Sequence, residues 1–351
     1  MTMELASIIH RYRTALNAKY ASRMLPGHHR ALHAITHCRT PHAGQLRVHC
    51  PGCDTQALRN QSCGHRSCPR CQNHQASQWL DRQHAKLLPV EYFMVTFTLP
   101  AQLRALAWCH QRTVYSVLFA AVASTLRDFG LNHRRLAGEL GMTLVLHTHS
   151  RRLAYHPHCH VVVPGGAIDK ARQQWRKHRG RYLFNNKALA KVFRGRLLHA
   201  LSAEGLTLPT CIPDQWIVNC VPVGKGQSAL QYLSRYLYRG VISERNIVSQ
   251  RDGFVTFSYL ESKTGQPQTR TLPGEDFLWL VLQHVLPKGF RRVRDYGFLH
   301  GNAKRTLALV QLVLQVFIEA TTRRPRPVFR CPRCNSPMAI LGFVLPHRRS
   351  G

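Results

Sequence analysis

The chain predicts an α+β protein: a central antiparallel sheet with flanking helices, expected on one face, preceded by a small zinc-binding domain. Three observations carry this. Two C-x-x-C knuckles lie within the first 71 residues; strand-length apolar runs alternate with helical patterns from Val90 onward; and a short loop joins two of those strands, which favours antiparallel neighbours.

Taken in order, residues 1–16 read as an amphipathic helix, and no apolar core follows a basic start as in a signal peptide. Residues 73–88 read as a helix closing a first unit, 1–89, that holds the knuckles. Tyr92–Thr98 is a strand stopped by Leu99-Pro100, and residues 101–129 carry apolar positions at helical spacing. Residues 142–147, 159–163 and 216–221 are further strands. Residues 254–260 and 268–272 flank Lys263-Thr264-Gly265-Gln266 as a hairpin, within a second unit spanning 90–300. The remainder, 301–351, is basic and helical, then Pro-rich at residues 323–327, and holds a last knuckle. No phosphate-binding loop of an ATP-driven motor and no internal repeat occur.

Lys and Arg number 49 against 16 Asp and Glu, a formal charge of +33 over 351 residues. So large an imbalance implies a polyanionic partner, because compacting that charge alone is opposed by self-repulsion. A hydrophobic content of 44% argues against a disordered basic tail, and no sustained apolar run of membrane-spanning length is evident. The protein is expected in the cytoplasm.

Twelve cysteines without an export signal read as metal ligands rather than disulfides. Cys50 and Cys53 with Cys68 and Cys71 are expected to complete one tetrahedral zinc site, since each tight turn points two sulfurs inward. Cys38, Cys63, His65 and His74 either build a second site, substitute in the first, or simply pack. Cys331-Pro332-Arg333-Cys334 supplies two more thiols, with only His347 following; it is either a fragment completed from afar or a turn with two free thiols.

The densest signal is His156-Pro157-His158-Cys159-His160, running into Val161-Val162-Val163. Alternate strand residues share a face, so His158 and His160 present two imidazoles side by side, suited to a divalent cation with positions left for phosphate oxygens. Tyr232 and Tyr236 stand one helical turn apart, on a helix with Ser228 as candidate N-cap and Gly240 as its stop. Arg235 and Arg239 repeat that spacing and suit phosphate contact; Tyr238 falls round the helix. Tyrosines at helical spacing are commonly packing residues, and only the histidine strand lends them chemical weight. Together they point to metal-assisted attack of tyrosine on a DNA phosphodiester.

These motifs resemble, in order, those of rolling-circle insertion-sequence transposases of the HUH superfamily, in the two-tyrosine group with an N-terminal zinc-binding domain. The matching stretches are Ser62-Cys63-Gly64-His65-Arg66-Ser67-Cys68-Pro69-Arg70-Cys71-Gln72 and residues 88–100, 155–166, 192–195, 232–243 and 286–299, so most of the chain is covered. His65 and Ser67 stand where that family usually has Asn and His, and Tyr238 adds a third phenol. The resemblance implies Mg²⁺- or Mn²⁺-dependent cleavage and transfer of single-stranded DNA through a 5′-phosphotyrosine. His158 and His160 would be metal ligands and Tyr232 and Tyr236 nucleophiles, with transposon-end and target DNA as partners and a host helicase as a further one. His147, on the neighbouring strand, is the first choice for a third ligand, followed by His149 and His156. Two rival readings are a replication initiator or relaxase of the same superfamily, and a non-enzymatic zinc-ribbon DNA-binding regulator.

Overall fold

The β-branched run after the histidine pair forms the centre of the molecule. The computed structural model describes residues 3–71, 73–237, 241–261, 264–316 and 328–345; the side chains of residues 73, 74, 232 and 234–237 also fall outside that description. Strand Tyr155–Pro164 is the middle of a five-stranded sheet, flanked by Met142–His149 and Tyr92–Thr98, with Val293–Tyr296 and Val218–Pro222 as the edges. All four pairings are antiparallel, as expected of the α+β class. The central strand starts earlier than the valine run suggests, at Tyr155, and takes in Pro157. Its pairing shifts register between His147 and His149, so Pro157, lacking an N–H, sits where the ladder is already interrupted.

Strand alternation divides the sheet into two faces. Phe93, Val95, Phe97, Leu144, Leu146, Val161 and Val163 point one way and pack, almost fully buried, against helices Gln111–Asn132 and Asn186–Ala203. Each such side chain contributes roughly 1.5–3 kcal/mol of burial. The opposite face carries the histidines, but also Val145 and Val162, and these too are covered. Helices Asn73–His84, Gln227–Leu237 and Lys304–Val313 bring Trp79, Leu230, Leu233 and Val310 into one buried cluster with them. Helices therefore lie on both faces, not one, because the histidine-bearing face is itself half apolar.

Helix Gln111–Asn132 is, by length and composition, apolar enough to cross a membrane, contrary to the sequence reading; here Leu118, Val122 and Leu126 are buried in the sheet's own core. It is separate from a short helix, Arg104–Cys109, because His110 leaves helical geometry at φ −122°, ψ 45°.

Part of the expected first unit, 1–89, shares a buried cluster with later elements. Helices Leu5–Tyr20 and Pro26–Thr36 pack on helix Gly274–Leu282 and on a second sheet of strands Ile247–Arg251, Phe254–Leu260 and Pro267–Pro273. Tyr20 stacks on Trp279 at 4.8 Å, and its hydroxyl donates to Asp276 at 2.7 Å. A Cβ on Gly274 would lie 2.4 Å from the Tyr12 ring, so the approach of the two helices needs glycine. In the C-terminal region, strand Ala339–Val344 pairs with Gln45–His49, making a small sheet with Gln56–Asn60.

Candidate active site and metal centres

Register brings three histidines together. His147 pairs across the ladder with His158, and His160 lies two residues further along the same face. Their candidate ligand nitrogens all fall within 4.8 Å of one another. His158 Nδ1 donates to the His156 carbonyl at 2.7 Å, which leaves the lone pair on Nε2. His160 Nδ1 lies 3.0 Å from Thr96 Oγ1 on the next strand, a hydroxyl that anchors the ring and can either donate to that nitrogen or accept from it. Burial, then the neighbouring His160 and His158, pushes the His147 pKa well down. Burial and then His158 push His160 down to about 3, and burial lowers His158 against its bond to the His156 carbonyl. All three are neutral imidazoles at pH 7, the form that ligates metal, and three nitrogen donors with the remaining positions open fit a catalytic divalent cation. The two reserve candidates lie outside that group: Arg104 Nη2 donates to His156 Nδ1 at 2.8 Å, and the His149 ring lies 5.1 Å from that of His284.

The cysteines do not assemble as expected. Cys50 and Cys53 do not meet Cys68 and Cys71. Cys68 and Cys71 instead cluster with Cys38 and Cys63, with Sγ of Cys71 3.4 Å from that of Cys38 and 3.6 Å from that of Cys63. Cys50 and Cys53 cluster with Cys331 and Cys334. The reason is topological: Cys50 leaves strand Gln45–His49 at the far end of the hairpin, whereas Cys38 ends helix Pro26–Thr36 and Cys63 follows strand Gln56–Asn60 back to it. His65 joins neither cluster; its Nδ1 accepts the Ser67 N–H at 3.2 Å. His74 and His347 fall outside the described side chains.

Residues 141–306 match the family described as "Putative transposase", and residues 8–99 match the "Transposase zinc-binding domain". The chain is 33% identical to the "Putative transposase y4qJ" of Sinorhizobium fredii (strain NBRC 101917 / NGR234), over 96% of this chain and 94% of that one. The chain belongs to the IS91-type transposase family. It is also 29% identical to the "Transposase for insertion sequence element IS801" of Pseudomonas savastanoi pv. phaseolicola, over 68% of this chain and 61% of that one. Among solved structures it is similar to the conjugative relaxase TrwC in complex with oriT DNA, metal-bound, at 16% identity and TM-score 0.29, over 64% of this chain and 71% of that one. The protein is thus an enzyme, a rolling-circle DNA transposase with a zinc-binding domain, as the motifs suggested.

In this transposase the backbone of helix Gln227–Leu237 runs over the histidine face, and Ala229, Leu230 and Leu233 share a buried cluster with Val145 and Val162. The helix starts at Gln227, one residue before the expected cap: Ser228 Oγ donates to the Val223 carbonyl at 3.4 Å. The side chains of Tyr232, Arg235 and Tyr236, and all of Tyr238, Arg239 and Gly240, lie outside the described residues.

At the edge strand Val293–Tyr296 a cleft of about 790 Å³ opens, lined by Arg30, Arg66, Arg82, Lys86, Lys288, Arg291 and Arg292, with Asp295 as its acidic member. Its Val293 and Asp295 pair with Val145 and Thr143, which places it against the face that carries the histidines. Lys86 and Thr143 hold Asp295 at 2.6 and 2.7 Å, so the rest of the lining presents net positive charge, fit for phosphates. Sequence reasoning missed Thr96. Its signal is the polar alternation Thr96, Thr98 within an otherwise apolar strand, which marks the strand's site-facing side.

Proposed function

We propose that the transposase cleaves and rejoins single-stranded DNA through Tyr232 and Tyr236, with His147, His158 and His160 holding one divalent cation, Mg²⁺ or Mn²⁺. The observation that carries this reading is the convergence of three neutral imidazoles on the sheet face beneath the helix that bears both tyrosines. When bound, such a cation polarises the scissile phosphate and offsets the charge developing on it. The His156 carbonyl holds His158 in the tautomer with its lone pair on Nε2, and Thr96 orients the His160 ring. A tyrosine oxygen forms the bond to phosphorus as the bond to the 3′ oxygen breaks; the phenol proton ends on that oxygen, leaving a 5′-phosphotyrosine and a free 3′-OH. The covalent link conserves the phosphodiester energy, so rejoining needs no ATP, and two tyrosines allow a second step before the first end is released.

Arg235, Arg239 and the basic cleft are assigned to phosphate contact, and Cys38, Cys63, Cys68 and Cys71 to a structural zinc. The chain has no motor motif, so displaced single strand would come from a host helicase or from replication. The setting of this reading is the cytoplasm, at nucleoid DNA.

The test is an incubation with single-stranded element-end DNA and Mg²⁺, followed by mass spectrometry of trapped adducts in wild type, Tyr232→Phe and Tyr236→Phe. A phosphotyrosyl peptide at Tyr232 or Tyr236 is expected, with transposition lost in each variant and retained in Tyr238→Phe. An intact strand, as a regulator would leave, or an adduct only at Tyr238, overturns the assignment.

A further inference from the structure

We propose that Cys50, Cys53, Cys331 and Cys334 form a second tetrathiolate zinc site, which fastens the C-terminal strand of the chain to its N-terminal hairpin. The matched zinc-binding domain ends at residue 99, so half of this ligand set comes from beyond it.

The two contributing turns are built alike. In each, the first cysteine's N–H bonds to the carbonyl five residues on, Cys50 to Thr55 and Cys331 to Ser336, both at 2.9 Å. In each, the residue after the second cysteine takes a left-handed conformation, Asp54 at φ 55° and Asn335 at φ 59°. Such a turn aims two sulfurs at one point. The turns face each other, with Cys50 Sγ 3.4 Å from Cys334 Sγ and Cys53 Sγ 3.5 Å from Cys331 Sγ, and all four sulfurs within 4.8 Å. Four sulfurs around a zinc at about 2.3 Å stand roughly 3.8 Å apart, whereas a disulfide needs about 2.05 Å. The turns pass closely at Gly52, where a Cβ would lie 3.2 Å from Ser336 Oγ.

The surrounding packing gives the strand little else to hold it. The only fully buried members of this cluster among the described residues are Val48, Cys50, Cys331 and Met338. On strand Ala339–Val344, Ile340, Leu341 and Phe343 are exposed. A core that small does not hold a strand joined to it only at a chain distance of some 280 residues, and a structural metal is the usual remedy. The strand's register against Gln45–His49 is what the site would preserve.

Purified full-length protein is analysed for zinc, and its cysteines are mapped by alkylation and mass spectrometry. Cys331→Ser with Cys334→Ser should lose one zinc per chain relative to wild type, and Cys50 and Cys53 should become reactive. Cys38, Cys63, Cys68 and Cys71 should stay protected, while the exposed Cys109 and Cys211 react throughout as controls. Undiminished zinc in the double variant, or Cys50 and Cys53 still protected, overturns the proposal. A measurement on wild type alone guards against misfolding: as chelator withdraws zinc, Cys331 and Cys334 should become reactive in step with Cys50 and Cys53. Exposure of Cys50 and Cys53 in step with Cys68 and Cys71, with Cys331 and Cys334 reactive from the outset, overturns it, as does a Cys50–Cys334 disulfide. Neither readout depends on DNA cleavage, so the tyrosine assignment stands or falls separately.

Discussion

Replacing Thr96 by Val isolates how much the histidine site depends on the shell behind its ligands. Valine keeps the volume and β-branching that suit a strand, so the backbone of Tyr92–Thr98 should not move. What is lost is the hydroxyl 3.0 Å from His160 Nδ1. The ring nitrogen is then left without that partner in a partly buried site, at about 1–3 kcal/mol. Expressed as a binding constant, that is roughly 5- to 150-fold, and it overlaps the roughly 10- to 100-fold typical of groups that orient metal ligands. The equivalent support for His158 is a backbone carbonyl, beyond the reach of substitution, which makes Thr96 the informative position. Cleavage of a single-stranded oligonucleotide is followed while Mg²⁺ or Mn²⁺ is titrated. The midpoint in metal should move upward by about one to two orders of magnitude, with the rate at saturating metal changed little and DNA affinity unchanged. A metal titration superimposable on wild type refutes the reasoning. So does a loss of rate at every metal concentration with no shift of midpoint, which would move Thr96 from metal support to DNA contact.

His158→Ala and His160→Ala should each abolish cleavage yet retain DNA binding in a gel-shift assay, because affinity comes from Lys and Arg on phosphates; cleavage surviving in both, with EDTA present, contradicts the site. Gly274→Ala forces a Cβ to within 2.4 Å of the Tyr12 ring, and overpacking of that kind costs about 1–3 kcal/mol. Alanine's advantage as a helix former returns at most about 1 kcal/mol, so calorimetry should register a lower Tm; an unchanged Tm would mean the two helices separate freely. Stability should fall as pH drops from 6.5 to about 4, because burial lowers the pKa of both His28 and His284 from 6.5 to about 4. In that window the unfolded chain binds protons that the native one refuses, so the stabilisation is complete above pH 6.5, and each histidine accounts for on the order of 3 kcal/mol. Denaturant midpoints flat across that range would show the two rings to be accessible to protons in the fold.

Much of the chemistry was legible in the chain because it is local. His158 and His160 share a face by strand parity alone, a C-x-x-C turn aims both its sulfurs one way, and tyrosines four residues apart line up on any helix. The excess of Lys and Arg already implied a polyanion. Those inferences need only backbone periodicity and the chemistry of single side chains. What a turn or a strand meets across space is a different matter, since it depends on loop closure and on which apolar faces find each other. From the sequence His147 was a choice among three histidines; it is the strand register that sets it opposite His158. Adjacent spacing made Cys50, Cys53, Cys68 and Cys71 look like one site, yet the hairpin between them carries the two pairs to opposite ends. The partners of Cys50 and Cys53 lie some 280 residues away, a separation no spacing rule reaches. The shared core of helix Leu5–Tyr20 and helix Gly274–Leu282 was hidden for the same reason. Local pattern determines what each segment can bind; tertiary packing decides which segments bind together, because an apolar face or a two-thiol turn specifies the kind of partner it needs but not its place in the chain.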